Sequence, residues 1–105
     1  MRVAITNIGT IVSGDWRAPF VSGDSIVCED GRIVSVGIAS ARDVERCDVA
    51  IDADGTTAIP GLIDSHVHIT FGDFTPRQNT VGYLESYVHG GVTTDSRHLD
   101  LSIAV

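Results

Sequence analysis

Short apolar runs separated by glycine and small polar residues fill the first half of the chain, a pattern typical of short β-strands joined by turns. Residues 2–12 indicate a strand pair, and further short strands are predicted at 49–52 and 57–59. Residues 38–48 mix charged residues with alanine and indicate either a loop or a short helical turn. We therefore expect a small antiparallel β-sandwich over residues 1–57.

A hairpin is the most specific local prediction within this half. Two apolar runs, residues 25–28 and 32–36, flank the dipeptide Asp30-Gly31. A type I′ turn requires positive φ at both of its central positions, and Asp-Gly is one of the few dipeptides that tolerate this. The two runs should therefore pair as antiparallel strands that turn at Asp30 and Gly31.

The second half of the chain predicts a strand, a helix and a second strand. An apolar run over residues 62–69 follows a Pro-Gly turn and alternates as a strand does, and another strand is expected to start at Val92. Between them a helix is predicted over residues 80–89, ended by Gly90-Gly91. Its apolar stripe follows i, i+3, i+7 spacing: Val81, Leu84 and Val88. This order is the one that a βαβ unit with parallel strands requires.

Two histidines on the first of these strands are the candidate chemistry. Alternate side chains of a strand share a face, so His66 and His68 would lie together, with Cα atoms about 6.6 Å apart. Two imidazoles at this spacing can bind one divalent metal, each at about 2.0–2.1 Å. For an isolated pair, the alternative is two polar residues on a half-buried strand that simply face water.

The surrounding sequence resembles the amidohydrolase superfamily. The string Pro-Gly-Leu-Ile-Asp-Ser-His-Val-His, residues 60–68, is similar to the first barrel strand of that family, and residues 51–59 are similar to its lead-in. Residues 5–12 and the hairpin 29–37 resemble its N-terminal β domain, and the likeness continues in the family's order to about Thr94. In this context the metal-ligand interpretation of the histidines is favoured over the solvated one.

The resemblance implies an α/β fold, in which the β-sandwich of residues 1–57 precedes the first βαβ piece of a TIM-type (β/α)₈ barrel over residues 58–105. Such a barrel takes about 250 residues, whereas this chain has 105. We therefore expect a truncated barrel, the front piece of an enzyme. The last eleven residues, 95–105, depart from the family, as a frameshift, an early stop or a partial gene would produce.

The chemistry implied by the resemblance is hydrolysis by a metal-activated water. His66 and His68 would match the two metal ligands of the first strand, with zinc the expected divalent metal. Asp64 would orient a ligand or make a structural hydrogen bond. The family's remaining ligands come from later strands and often include a carboxylated lysine; this chain contains no lysine, so a lysine-bridged two-metal site cannot be completed from it. No catalytic acid or base is assigned.

The loop after His68, residues 71–80, resembles the subset of the superfamily that contains enamidase. Dihydroorotase-like relatives share the histidine strand. The loop lies where the first βα loop of a barrel reaches substrate. Arg77 could there bind a substrate carboxylate through two parallel hydrogen bonds. An arginine exposed on a solvent-facing loop is the open alternative.

Composition narrows the class and the partners. The chain is 43% hydrophobic and 20% charged, as globular proteins are, and its net charge of −7 argues against nucleic acid or an anionic membrane as a partner. No apolar run approaches about 18 residues, and the N-terminus lacks the features of a signal peptide, so a cytoplasmic protein is expected. Cys28 and Cys47 form no Cys-x-x-Cys motif; two idle thiols are the simpler interpretation, and a disulfide stays open.

Three hypotheses follow. The chain is the N-terminal part of a metal-dependent amidohydrolase that acts on a cyclic amide or other non-peptide C–N bond of a small molecule, homo-oligomeric at full length. Alternatively, it is a catalytically inactive fragment that binds metal weakly. Finally, it is a small β-structural module that carries an incidental half barrel unit.

Overall fold

The computed structural model describes residues 1–66 and 80–95, except the side chains of Thr80 and Asp95. The chain divides into two compact units, the first of which is Met1–Pro60, while the second begins at Gly61. The elements of the first unit are β1 (Arg2–Thr6), β2 (Thr10–Val12), β3 (Phe20–Val21), β4 (Ser25–Glu29), β5 (Arg32–Gly37), α1 (Ala41–Glu45), β6 (Val49–Asp52) and β7 (Thr57–Ala58). Those of the second unit are β8 (Leu62–Asp64), α2 (Thr80–His89) and β9 (Val92–Asp95).

Two mixed sheets form the first unit. One has the strand order β5-β4-β1-β6 and the other β3-β2-β7. β6 runs parallel to β1 and β7 runs parallel to β2, so the expected antiparallel arrangement is wrong for these two strands. A hairpin leaves a local signal in its turn, whereas a parallel pair is joined by a long crossover. Here β4, β5 and α1 all lie between β1 and β6 in sequence. No local sequence pattern therefore reveals that β6 and β7 run parallel to their partners.

The predicted hairpin is confirmed. β4 and β5 pair antiparallel, from Ser25 opposite Gly37 to Glu29 opposite Arg32. Asp30 and Gly31 between them have φ of 48° and 78°. Both values are positive, as a type I′ turn requires.

The core is small and lies between the two sheets. It consists of buried aliphatic and alanine side chains: Ile5, Ile8, Ile11, Ile26, Ala53 and Ala58. On the opposite face of the larger sheet, the cross-strand partners Ala4 and Val27 are also buried. The centre of β1 and β4 is therefore buried on both faces.

Two apolar rows extend from this core to the sheet edges. Cross-strand partners share a face, and the registers give one row of Ile51, Ile5, Ile26 and Val36 and another of Val49, Val3, Cys28 and Ile33. The two ends of the first row, Ile51 and Val36, are 46% and 43% exposed. The apolar face is thus wider than the core that packs against it.

Residues 38–48 contain a short helix. Ser40 is the N-cap of α1, and its hydroxyl accepts the Asp43 N–H at 3.2 Å while the Asp43 carboxylate accepts from Ser40. These hydrogen bonds with Ser40 hold the pKa of Asp43 below its ordinary value. Of the two predictions left open for this segment, the helical one is confirmed.

The second unit pairs β8 with β9 in parallel, and α2 lies between them in sequence. The predicted helix 80–89 is confirmed; it ends at His89 and is followed by Gly90 and Gly91, and the φ of Gly91 is 83°. A Cβ on Gly61, just before β8, would collide with the side chain of Thr93, so the two strands approach closely there. Among the described helices, none is long and apolar enough to cross a membrane.

Two details of this unit differ from the sequence prediction. β8 ends at Asp64, and a bend follows, so His66 lies outside the strand that was predicted to reach residue 69. In α2, Val81 and Val88 of the predicted stripe are 65% and 50% exposed, while the half-buried positions are Tyr83, Leu84 and Tyr87. Tyrosine buries a large apolar ring even though its hydroxyl is polar. A helix face predicted from aliphatic residues alone therefore omits the two tyrosines.

Two glycines should differ in how poorly they accept alanine. A Cβ on Gly31 would meet nothing within 4 Å, so Gly31→Ala costs only the positive φ, about 1 kcal/mol. A Cβ on Gly9 would collide with the backbone oxygen of Gly55, so Gly9→Ala should lower the free energy of unfolding by the cost of overpacking, about 1–3 kcal/mol. Urea unfolding followed by circular dichroism should rank Gly9→Ala as the more destabilising change. Equal midpoints would contradict the close approach of these two backbone segments.

The uncovered rows should make the isolated chain associate with itself, because exposed contiguous apolar surface favours association. Val36→Lys places a charge at the end of one row and should shift sedimentation velocity profiles towards the monomer. Ser35→Lys is the matched control, since Ser35 is exposed on the same strand and pairs with Val27, on the other face. A shift of the same size in both variants would show that added charge, and not the apolar row, governs association.

Candidate metal site

The end of β8 carries the first of the predicted ligands. His66 lies in the bend two residues after Asp64, and its side chain is exposed. The backbone N–H of His66 donates to Oδ1 of Asp64 at 3.1 Å. A carboxylate that accepts an N–H two residues further on is a common way to fix a turn. Asp64 therefore determines how the chain leaves the strand at His66.

The other oxygen of the same carboxylate is held from the helix. The hydroxyl of Tyr87 donates to Oδ2 of Asp64 at 2.8 Å. The ring of Tyr83 lies against that of Tyr87, with centroids 4.5 Å apart and a tilt of 37°. Hydrogen bonding with Tyr83, followed by that with Asp64, raises the pKa of Tyr87 above its ordinary value. Tyr87 therefore keeps its proton and acts as a donor to Asp64.

The structure locates only part of the predicted site. His68 and Arg77 lie outside the described residues. The shared face of His66 and His68, and the role of Arg77 in substrate binding, thus stay predictions. The structure adds Tyr87, which the sequence analysis missed because the stripe was read from aliphatic residues alone. The i, i+4 spacing of Tyr83 and Tyr87 was the signal that could have found it.

The side chain at this strand end fits a zinc ion, because imidazole nitrogen is one of the ligands that zinc prefers. His66 offers an exposed ring of the type that zinc binds. Both oxygens of Asp64 already accept hydrogen bonds, from the His66 N–H and from the Tyr87 hydroxyl. Its carboxylate therefore orients the chain, and a metal ion would have to compete with these donors for it. Within residues 1–66 and 80–95, no group of three His, Cys, Asp or Glu side chains is placed to hold a metal ion.

The two cysteines are free thiols and belong to the first unit, whereas His66 belongs to the second. Burial raises the pKa of Cys28, which favours the neutral thiol over the thiolate that would bind a metal. The thiol of Cys47 donates to the backbone oxygen of Asp43 at 3.2 Å. These contacts agree with structural thiols.

Comparison with known proteins gives relatives in sequence, although no family model matches the chain. Enamidase of Eubacterium barkeri is 46% identical over 93 residues, which cover 89% of this chain and 24% of the relative. Imidazolonepropionase of Paenarthrobacter aurescens (strain TC1) is 38% identical over 89 residues, 84% of this chain and 21% of the relative.

Solved structures agree with these relatives. The crystal structure of enamidase, described as a new member of the amidohydrolase superfamily, superposes with a TM-score of 0.72 at 46% identity, over 90% of this chain and 25% of that one. L-Hydantoinase from Arthrobacter aurescens superposes with a TM-score of 0.68 at 32% identity, over 89% of this chain and 19% of that one. The chain thus spans about a quarter or less of the length of these relatives, and the resemblance predicted from the sequence is confirmed. This chain belongs to the amidohydrolase superfamily.

Proposed function

We propose that this chain is the N-terminal part of a metal-dependent amidohydrolase that hydrolyses a cyclic amide or another non-peptide C–N bond. The observation that carries the proposal is the 46% identity to enamidase over 89% of the chain. A match of that extent leaves out only about a tenth of the chain at its ends, so it includes the histidine strand at residues 60–68. The names of the relatives refer to enamides, imidazolones and hydantoins, and all three classes contain C–N bonds.

The second unit is proposed to be the first strand–helix–strand piece of a (β/α)₈ barrel. The parallel pairing of β8 with β9, and the helix α2 between them in sequence, support this assignment. In such barrels the catalytic residues collect where the strands end, and His66 follows the last residue of β8 by two positions. The division of the chain after Pro60 supports a β domain that precedes the barrel piece.

His66 and His68 would hold the metal, and zinc is the ion that suits imidazole ligands in such a site. When bound, a divalent metal of this kind polarises a carbonyl and activates water for attack on it. The chain's own contribution is to orient the ligand. Asp64 holds the backbone of His66, which sets the direction in which the imidazole leaves the bend.

Arg77 is proposed to bind a carboxylate of a small cyclic amide substrate. Its guanidinium offers two parallel donors that match the two oxygens of a carboxylate. Because the carboxylate would sit at a fixed distance from the ring amide, Arg77 would select substrates by their length. Arg77→Lys would keep the positive charge and lose the paired hydrogen bonds. This variant therefore distinguishes bidentate binding of the substrate carboxylate from charge attraction alone.

An inactive, weakly metal-binding fragment is the second candidate function. A catalytic zinc site normally has three protein ligands and a water, and the histidine strand supplies two. The described part of the chain contains no group of three donors that could complete it. For the 105-residue chain on its own this second candidate is favoured, while hydrolysis belongs to a longer polypeptide.

Zinc binding tests the ligand assignment. We expect the chain to bind Zn²⁺ weakly in competition with a chromophoric chelator. His66→Ala and His68→Ala should each weaken binding by more than the roughly tenfold that loss of an outer-shell partner costs. His89→Ala is the matched control, because His89 is also exposed and lies in the last turn of α2. Equal affinities for His66→Ala and His89→Ala would refute the assignment.

Activity of the isolated chain tests the proposed incompleteness of the site. The purified, zinc-loaded chain should not hydrolyse hydantoin, dihydropyrimidine or lactam substrates above the rate of free zinc, since two ligands leave the site incomplete. Product formation followed by chromatography measures this. Turnover that is abolished by His66→Ala would contradict the expectation and would mean that the missing ligands come from a second copy of the chain or from His89 and His98.

A further inference from the structure

A chain of two hydrogen bonds connects α2 to the bend that carries His66. The first bond runs from the Tyr87 hydroxyl to Oδ2 of Asp64 at 2.8 Å, and the second from the His66 N–H to Oδ1 at 3.1 Å. Tyr87 lies 23 residues after Asp64 in sequence. One carboxylate therefore joins two segments that are far apart along the chain.

The geometry restricts the carboxylate from two directions. A carboxylate with one engaged oxygen can still rotate about its Cβ–Cγ bond, whereas donors on both oxygens fix its plane. With that plane fixed, Oδ1 holds the His66 N–H in one place. The peptide that precedes the His66 Cα is thereby oriented, and with it the direction of the Cα–Cβ bond that carries the imidazole.

Tyr87 is itself held in place relative to β8. The strands β8 and β9 pair from Leu62 opposite Val92 to Asp64 opposite Asp95, and the Leu62 N–H donates to the Gly91 oxygen at 2.9 Å. Gly91 directly precedes β9 and follows α2 by two residues. The parallel ladder thus fixes the end of the helix beside the start of the strand, so the Tyr87 hydroxyl meets Asp64 without a flexible connection.

We propose that Tyr87 is a positioning residue for the metal ligand His66, acting through the carboxylate of Asp64. The inference rests on the proposed function, because it gives His66 the role of a ligand. Loss of the Tyr87 hydroxyl frees Oδ2, lets the carboxylate rotate and loosens the bend at His66. The His66 imidazole then spends less time in the orientation that binds a metal.

A purely structural role is the alternative to be separated from this one. In that case the Tyr87–Asp64 bond would only attach the helix to the strand, and its loss would lower stability and leave the bend unchanged. The distinguishing measurements are local: the solvent exchange of the His66 amide proton, measured by NMR without metal, and the Zn²⁺ affinity of the folded chain.

The test compares three variants of the full 105-residue chain. Tyr87→Phe removes the hydroxyl and keeps the ring, and Asp64→Asn keeps one side-chain oxygen as acceptor. Ser86→Ala is the matched control, since it removes a neighbouring hydroxyl of α2 that bonds within its own helix, to the Gly82 oxygen at 2.9 Å. Amide signals of the β8–β9 ladder report whether each variant remains folded.

Tyr87→Phe should speed exchange of the His66 amide several-fold and weaken Zn²⁺ binding by about tenfold, the lower end for loss of an outer-shell partner. Asp64→Asn should change both in the same direction, and Ser86→Ala should change neither. If Tyr87→Phe loses the ladder signals, Asp64→Asn provides the same test, with faster exchange at His66 supporting the proposal and unchanged exchange refuting it.

Failure of this inference and failure of the proposed function give different results. If His66→Ala weakens Zn²⁺ binding while a folded Tyr87→Phe leaves both measurements at their original values, Tyr87 is structural and the ligand assignment stands. If His66→Ala leaves Zn²⁺ affinity unchanged, the ligand assignment fails and the positioning of a metal ligand fails with it. Faster His66 exchange in Tyr87→Phe would then show only that Tyr87 orders the bend.

Discussion

The first unit depends on the pairing of β1 along both of its edges. Ile5 in this strand lies opposite Ile26 of β4 on one side and Ile51 of β6 on the other. Because Ala4 and Ile5 are both buried, β1 is covered on both faces as well as on both edges. A strand enclosed in this way cannot shift register by one residue without turning its apolar side chains to the wrong face. The registers of β4 and β6, the two strands that pair with β1, are fixed by this constraint.

Local chemistry explains which elements could be predicted from the sequence. The hairpin follows from Asp30-Gly31 alone, since few dipeptides accept positive φ twice. The bounds of the helix over 80–89 could be predicted from its helical periodicity and the two glycines that follow it, whereas its half-buried face could not, because Val81 and Val88 of the predicted stripe are exposed. The parallel partners β6 and β7 could not be predicted in this way. Their direction is set by contacts between residues about 46 positions apart, as for Val3 and Val49, and a turn motif contains no information about such contacts.

The candidate site shows the same division between local and distant effects. The type and spacing of His66 and His68 could be read directly from the sequence, because metal ligation depends on side-chain chemistry first. The bend after Asp64 could not, since an alternating apolar pattern predicts a strand to its last apolar residue. Tyr87 could not either, because its partner Asp64 is 23 residues away.

Asp64 orients the bend and does not itself serve as the candidate metal ligand, because each of its oxygens already accepts a hydrogen bond. Its two oxygens already accept one backbone N–H and one hydroxyl, so a metal bound by this carboxylate would have to compete with both. The exposed imidazole of His66 is the stronger candidate ligand for a divalent ion such as zinc. The carboxylate of Asp64 thus orients the bend, while the imidazole of His66 is left exposed at the end of β8. The β8–β9 ladder and α2 together determine the geometry of that strand end, because the ladder fixes β8 and the hydroxyl of Tyr87 holds Asp64.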